Sequence, residues 1–133
     1  MKRACLIPLF LLLSACENNG ASYMIGGSKD HSISLLREQK LIWSDEVGQK
    51  VVVARFPQCQ HRFDIAPGRT GKAALELYQA NEMLFVLHQG KQWWAVGTED
   101  CDLQAFKTPP ADPGILLGSF QNKEDALVFV EQK

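Results

Sequence analysis

The 133-residue sequence has no apolar run of 18 residues, so no segment is long enough to cross the roughly 30 Å hydrocarbon core of a bilayer as a helix. It has no block of Lys and Arg either. Its 14 basic side chains are spread among 15 acidic ones, for a net charge of −1. A surface that tracks phosphates needs clustered cations, so nucleic acid is excluded as a partner. Neither G-x-S-x-G nor H-E-x-x-H occurs, which removes two common hydrolase signatures. "PGRTGK", residues 67–72, ends like a phosphate loop. Ala66 and Ala73, however, stand where that loop needs Gly and Ser or Thr, so the stretch reads as a turn. No internal repeat is present.

What the sequence does have begins at its N-terminus. Lys2 and Arg3 precede an apolar stretch from Ala4 to Leu13, about ten residues, then small residues. That order marks a secretory signal. Within it, Leu13-Ser14-Ala15-Cys16 resembles the lipobox of bacterial lipoproteins. The resemblance implies that residues 1–15 are a signal peptide, cut just before Cys16. The Cys16 thiol would carry diacylglycerol, and the new amine a fatty acyl chain such as palmitate. Each buried CH₂ contributes about 0.8 kcal/mol, so three chains hold durably where one holds marginally. In enterobacterial lipoproteins an aspartate after the lipidated cysteine causes retention at the inner membrane. Glu17 stands there in this chain. The expected location is therefore the outer membrane, with the domain facing the periplasm. The inner membrane is the alternative, since Glu17 is also an acid.

Taking residues 1–15 from 133 leaves 118, with 12 basic and 15 acidic side chains, a net of −3 and one domain's length. Residues 16–29 are expected to be the lipidated cysteine and a flexible polar tether, and 30–133 a single β-rich domain. The resemblance also disposes of two of the four cysteines, Cys5 with the signal and Cys16 as lipid carrier. Cys59 and Cys101 remain, and an oxidising envelope favours a bond between them. Closing a loop of about 43 residues is worth roughly 4 kcal/mol on the chain-entropy model. The competing reading is a metal held by Cys59, His61 and Cys101, which lacks a fourth ligand and zinc-site spacing. No metal or cofactor is expected.

Alternation and β-branching predict strands at His31–Leu35, Val51–Phe56, in "CDLQAF" and in "ILLGSF". Ala73–Ala80 has good helix formers as well, and the alternation of Leu75 and Leu77 with Glu76 and Tyr78 selects a strand over a helix there. Leu41-Ile42-Trp43 is a further short apolar run. The clearest hairpin joins Met83–Leu87 to Trp93–Val96 through Gly90. Asp45–Gln49 reads as a turn, and residues 57–72 and 107–114 as loops rich in Pro and Gly. Asn122 followed by Glu124 and Asp125 looks like a helix cap with acids in the first turn. Ala126, Phe129 and Val130 then recur at helical spacing, predicting a helix over 123–131. The expected fold class is α+β: a mainly antiparallel sheet with a C-terminal helix and one disulfide.

Three groups of residues invite a functional reading. Trp93 and Trp94 must point to opposite faces of a strand, so one can fill the core while the other serves as a binding anchor. Trp94, with Arg62 and Arg69, is the expected binding patch. His61 and Asp64 form the one cluster that could serve a hydrolase, and a solvated loop explains them equally well. "ILLGSFQNKEDALVFV" resembles part of the peptidoglycan-binding SPOR domain, which puts cell-wall glycan among the partners. Small disulfide-bonded β lipoproteins also include inhibitors of lysozyme, an architectural analogy only. The expectation is a membrane-anchored envelope lipoprotein with a non-enzymatic binding domain. Its partner would be an envelope protein or peptidoglycan. Inhibition of a cell-wall hydrolase and a structural, peptidoglycan-associated role are the alternatives.

Overall fold

The computed structural model describes residues 18–39, 43, 46–69 and 73–133. The signal, the lipobox and Cys16 lie outside the described residues, as do Leu41 and Ile42 and the side chain of Arg69.

Among the described residues ten strands run in chain order: β1 Asn18–Met24, β2 His31–Gln39, β3 Glu46–Arg55, β4 Cys59–Arg69, β5 Leu75–Asn81, β6 Leu84–Gln89, β7 Gln92–Gly97, β8 Asp102–Ala105, β9 Ile115–Lys123 and β10 Ala126–Glu131. All strand pairs are antiparallel. They form a four-stranded sheet, β1-β2-β3-β4, and a six-stranded sheet, β10-β9-β5-β6-β7-β8. The two sheets face each other across one core, a β-sandwich.

Period-2 alternation makes that core. In the four-stranded sheet Ile33 and Leu35 of β2, Val51 and Val53 of β3, and Ile65 of β4 point inward. Facing them are Leu75 and Leu77 of β5, Phe85 and Leu87 of β6, Trp94 and Val96 of β7, Phe120 of β9 and Leu127 of β10. Register aligns Leu77 with Leu87, Leu87 with Trp94, and Leu75 with Phe120. At one end the inward positions turn polar. Arg37 donates to Gln49 Oε1 at 3.1 Å, to Asn122 Oδ1 at 2.9 Å and to the Ala73 carbonyl. Gln49 in turn donates to Gln89 Oε1 at 2.8 Å and to the Ala66 carbonyl at 2.7 Å. Burying these groups is tolerable because each has partners, and together they tie the ends of both sheets.

The edges of the sheets are drawn together on both sides. Tyr23 of β1 and Phe129 of β10 pack with ring centroids 5.0 Å apart. On the other side the Cys59–Cys101 disulfide joins the start of β4 to the turn before β8, with Cα atoms 6.0 Å apart. The expected bond is therefore present, and with both sulfurs committed to it the metal reading of Cys59, His61 and Cys101 falls. Among the described residues no group of His, Cys, Asp and Glu could hold a metal ion, and no helix is long and apolar enough to cross a membrane.

Several expectations need correction. The fold is all-β, and the predicted C-terminal helix is the strand β10. Glu124 and Asp125 have φ of 50° and 66°, the left-handed pair of a two-residue hairpin turn, with Lys123 opposite Ala126. What reads as a helix cap is thus a turn, and Val128, Phe129 and Val130 suit a strand. Of the expected loop over 57–72, residues 59–69 are instead the strand β4, paired with β3 along most of its length, and residues 70–72 lie outside the described residues. Asp45–Gln49 is not a turn throughout, because β3 already begins at Glu46. From Asn18 onward the expected tether is also structured. Asn18 to Met24 pair with β2 residue for residue, followed by one 3-10 turn over Ile25–Gly27.

Candidate functional site: the outer face of the six-stranded sheet

Alternation along β5, β6 and β7 sends one set of side chains into the core and the other outward. The outward set contains an organised polar and aromatic cluster. Register places Glu76, His88 and Trp93 in one row across the three strands. Tyr78 sits one step along β5, beside Val86. His88 lies flat on Trp93, with ring centroids 3.8 Å apart and planes inclined by 17°. Its Nδ1 donates to Glu76 Oε1 at 2.6 Å, and its Nε2 faces the Gly90 carbonyl at 2.7 Å. Both ring nitrogens are satisfied as donors when the ring carries two protons. The Tyr78 hydroxyl donates to the other Glu76 oxygen at 3.3 Å, and the Tyr78 ring tilts against Trp93 at 5.9 Å. Burial pushes the Tyr78 phenol above its ordinary value of 10.0, and the negative charge of Glu76 and the bond to it push the same way.

Farther along the same face a groove of about 400 Å³ opens beside β7. Ala95 and Gly97 line it with little side-chain bulk. Leu84 contributes an apolar wall, and Glu99, Asp100 and Asp102 give it acidic character. Ala95 is the next outward residue after Trp93 on β7, so aromatic cluster and groove form one continuous surface. A planar aromatic shelf, fixed in orientation by a histidine and a carboxylate, loses little entropy on contact with a partner. It offers stacking, hydrogen-bond acceptors and negative charge. Among the described residues Ser119 of β9 shares this face, opposite Glu76, but it accepts from Gln121 Nε2 at 2.6 Å, and the hydrogen-bond contacts of His88 are to Glu76 and Gly90.

The residues singled out in the sequence fall elsewhere. Trp94 is 4% exposed and fills the core, which corrects the expectation that its ring stands outward; the neighbouring Trp93 is the one on the outer face. The hairpin decides which is which: Leu87 stands opposite Trp94 and His88 opposite Trp93. Arg62 is exposed on the outer face of the other sheet, opposite Val52, and Arg69 ends β4 opposite Glu46. The structure therefore does not bring Trp94 and Arg62 into one patch, and the side chain of Arg69 lies outside the described residues. His61 and Asp64 also separate. His61 turns toward the disulfide, its Nδ1 3.1 Å from the Cys101 carbonyl, while Asp64 faces Lys50 at 3.9 Å on the outer surface. Sequence reasoning missed Glu76, Tyr78 and His88. Once the 83–96 hairpin is drawn with Gly90 and Lys91 at its tip, the pairing of His88 with Trp93 follows by counting.

No family model, no curated protein and no solved structure matches this chain.

Proposed function

We propose that the chain is an envelope lipoprotein, anchored through Cys16, whose β-sandwich binds an envelope partner through the outer face of the six-stranded sheet. The observation that carries the binding reading is Trp93. It lies on the outer face, stacked on His88, flanked by Tyr78 and continuous with the acidic groove. The lipobox residues Leu13-Ser14-Ala15-Cys16 carry the anchor, and a structural disulfide fits the oxidising periplasm. The expected membrane is the outer one. The reading is non-enzymatic, because the Glu76–His88 pair is tied up in fixing an aromatic surface and His61 and Asp64 lie apart. The partner class favoured is a protein, with peptidoglycan glycan second.

The test is a crosslinking pull-down from the native envelope with the lipidated protein. Trp93→Ala is the site variant and Arg62→Ala the control on the opposite sheet. One envelope protein captured by the native form and by Arg62→Ala, and lost with Trp93→Ala, supports the proposal. Equal capture by all three forms overturns it.

A further inference from the structure

We infer that this domain docks directly on the bilayer surface through one end of the sandwich, with the indole of Trp43 seated at the lipid interface. The inference rests on the anchor proposed at Cys16 and extends it from attachment to orientation.

The argument starts from chain length. β1 begins at Asn18, whose backbone is paired opposite Glu38 of β2. Only Glu17 stands between Asn18 and Cys16. Two residue steps of fully extended chain span about 7 Å, so a lipid on Cys16 holds the start of β1 against the headgroups. No tether is left to let the domain stand away.

Strand direction then fixes which end faces the membrane. β2 ends at Gln39, opposite Val47, and Glu46 at the start of β3 stands opposite Arg69 at the end of β4. The contacts of Gln49 with Gln89 and of Arg37 with Asn122 bring the β6–β7 and β9–β10 turns to the same end. Trp43 belongs to the β2–β3 connection at this end and is 79% exposed, the most exposed of the large hydrophobic side chains described. A lone exposed hydrophobe is unremarkable by itself. Its position is what matters. An indole with an apolar body and one N–H donor is the side chain best suited to the headgroup boundary, and here the anchor delivers it there. The docking orientation also points the acidic groove away from the lipid, because Leu84, Gly97 and Asp102 lie at the opposite strand ends, a strand length of roughly 20 Å from Gln89.

The experiment uses the full mature protein, purified from membranes and placed in phosphatidylethanolamine–phosphatidylglycerol vesicles. Mass spectrometry of the N-terminal peptide reads acylation of Cys16. The emission of Trp43 is read as the difference between the native protein and Trp43→Phe, in vesicles with and without lipids carrying a quencher near the headgroup or deep in the acyl chain. The expected result is acylated Cys16 with blue-shifted Trp43 emission that is lost to the shallow quencher more than to the deep one. Acylated Cys16 with unquenched Trp43 overturns the docking inference and leaves the anchor standing. An unmodified Cys16 overturns the anchor, and the docking inference with it.

Discussion

Glu76 holds His88 by a 2.6 Å contact from Oε1 to Nδ1, and its second oxygen receives the Tyr78 hydroxyl. One carboxylate thus organises the imidazole and the phenol that flank Trp93. The arrangement has a titration signature. Tyr78 is raised by burial first, then by the charge of Glu76 and the bond donated to it. A group whose pKa is higher folded than unfolded binds more protons in the native state, so its contribution to stability falls with rising pH. That contribution is present in full below the ordinary tyrosine value of 10.0 and is lost as pH climbs through the raised folded value. A phenolate absorbance titration, read as the difference between native protein and Tyr78→Phe, is expected to show late ionisation. Glu76→Gln moves it back toward the ordinary value. A Tyr78 titration unaffected by Glu76→Gln would show that the carboxylate plays no part.

The two adjacent tryptophans are expected to respond in opposite ways. Trp94→Ala empties a site in the core and costs about 3–5 kcal/mol. Trp93→Ala removes the His88 stack and the Tyr78 ring contact on the outer face and costs about 1–2 kcal/mol. Urea unfolding of the two variants measures both. Partner capture should follow the reverse order, with Trp93→Ala losing it at nearly native stability.

The disulfide spans 42 positions and joins the edge of one sheet to the edge of the other. Cys59→Ala, Cys101→Ala and reduction of the native protein are each expected to cost about 4 kcal/mol. The three should agree closely, since each removes the same constraint on the unfolded chain. Denaturant midpoints with and without reductant check this, and a loss confined to one variant would point to a local packing effect instead.

How much of this fold the sequence discloses depends on how local each signal is. The 83–96 hairpin, β5 and the paired cysteines are legible because Gly90, the alternation of Leu75 and Leu77, and cysteine arithmetic are all short-range clues. β10 misleads because Ala126, Phe129 and Val130 satisfy a helical spacing while Leu127 and Phe129 satisfy a strand's, and six residues cannot separate two periods. β4 is masked by its flanking turn residues, Pro57 on one side and Pro67 and Gly68 within its far end. Yet Phe63 and Ile65 do alternate with Arg62 and Asp64. β1 carries almost no apolar pattern, because Asn18, Asn19, Gly20 and Ser22 hold their place through backbone pairing to β2. The candidate site is non-local in the same sense. Glu76 meets His88 only through the register of β5 on β6, which no local pattern discloses.

The buried polar end of the core predicts strong coupling. Gln49 accepts from Arg37 and from Gln89 and donates to Gln89 and to Ala66. Gln49→Leu removes all of these at once and leaves buried groups unmatched, a cost of about 1–3 kcal/mol. In a double-mutant cycle with Gln89→Leu the second substitution should then cost less than it does alone, with a coupling of about 0.5–3 kcal/mol. Additive losses would show that the two amides act independently.

The β9–β10 turn allows a test in which the sign alone decides. Glu124 has φ of 50° in the hairpin turn, a conformation that costs an ordinary side chain about 1 kcal/mol or more and that asparagine tolerates well. Glu124→Asn is therefore expected to stabilise the protein by up to about 1 kcal/mol, which raises Tm by about 4 °C in a domain of this size. A helix over the same residues would give the opposite result. There Glu124 would sit in the first turn, where the dipole favours a carboxylate, and asparagine would weaken both that interaction and the helical propensity. A rise in Tm supports the strand β10 and the all-β fold. A fall would return these residues to the helix that their spacing suggests.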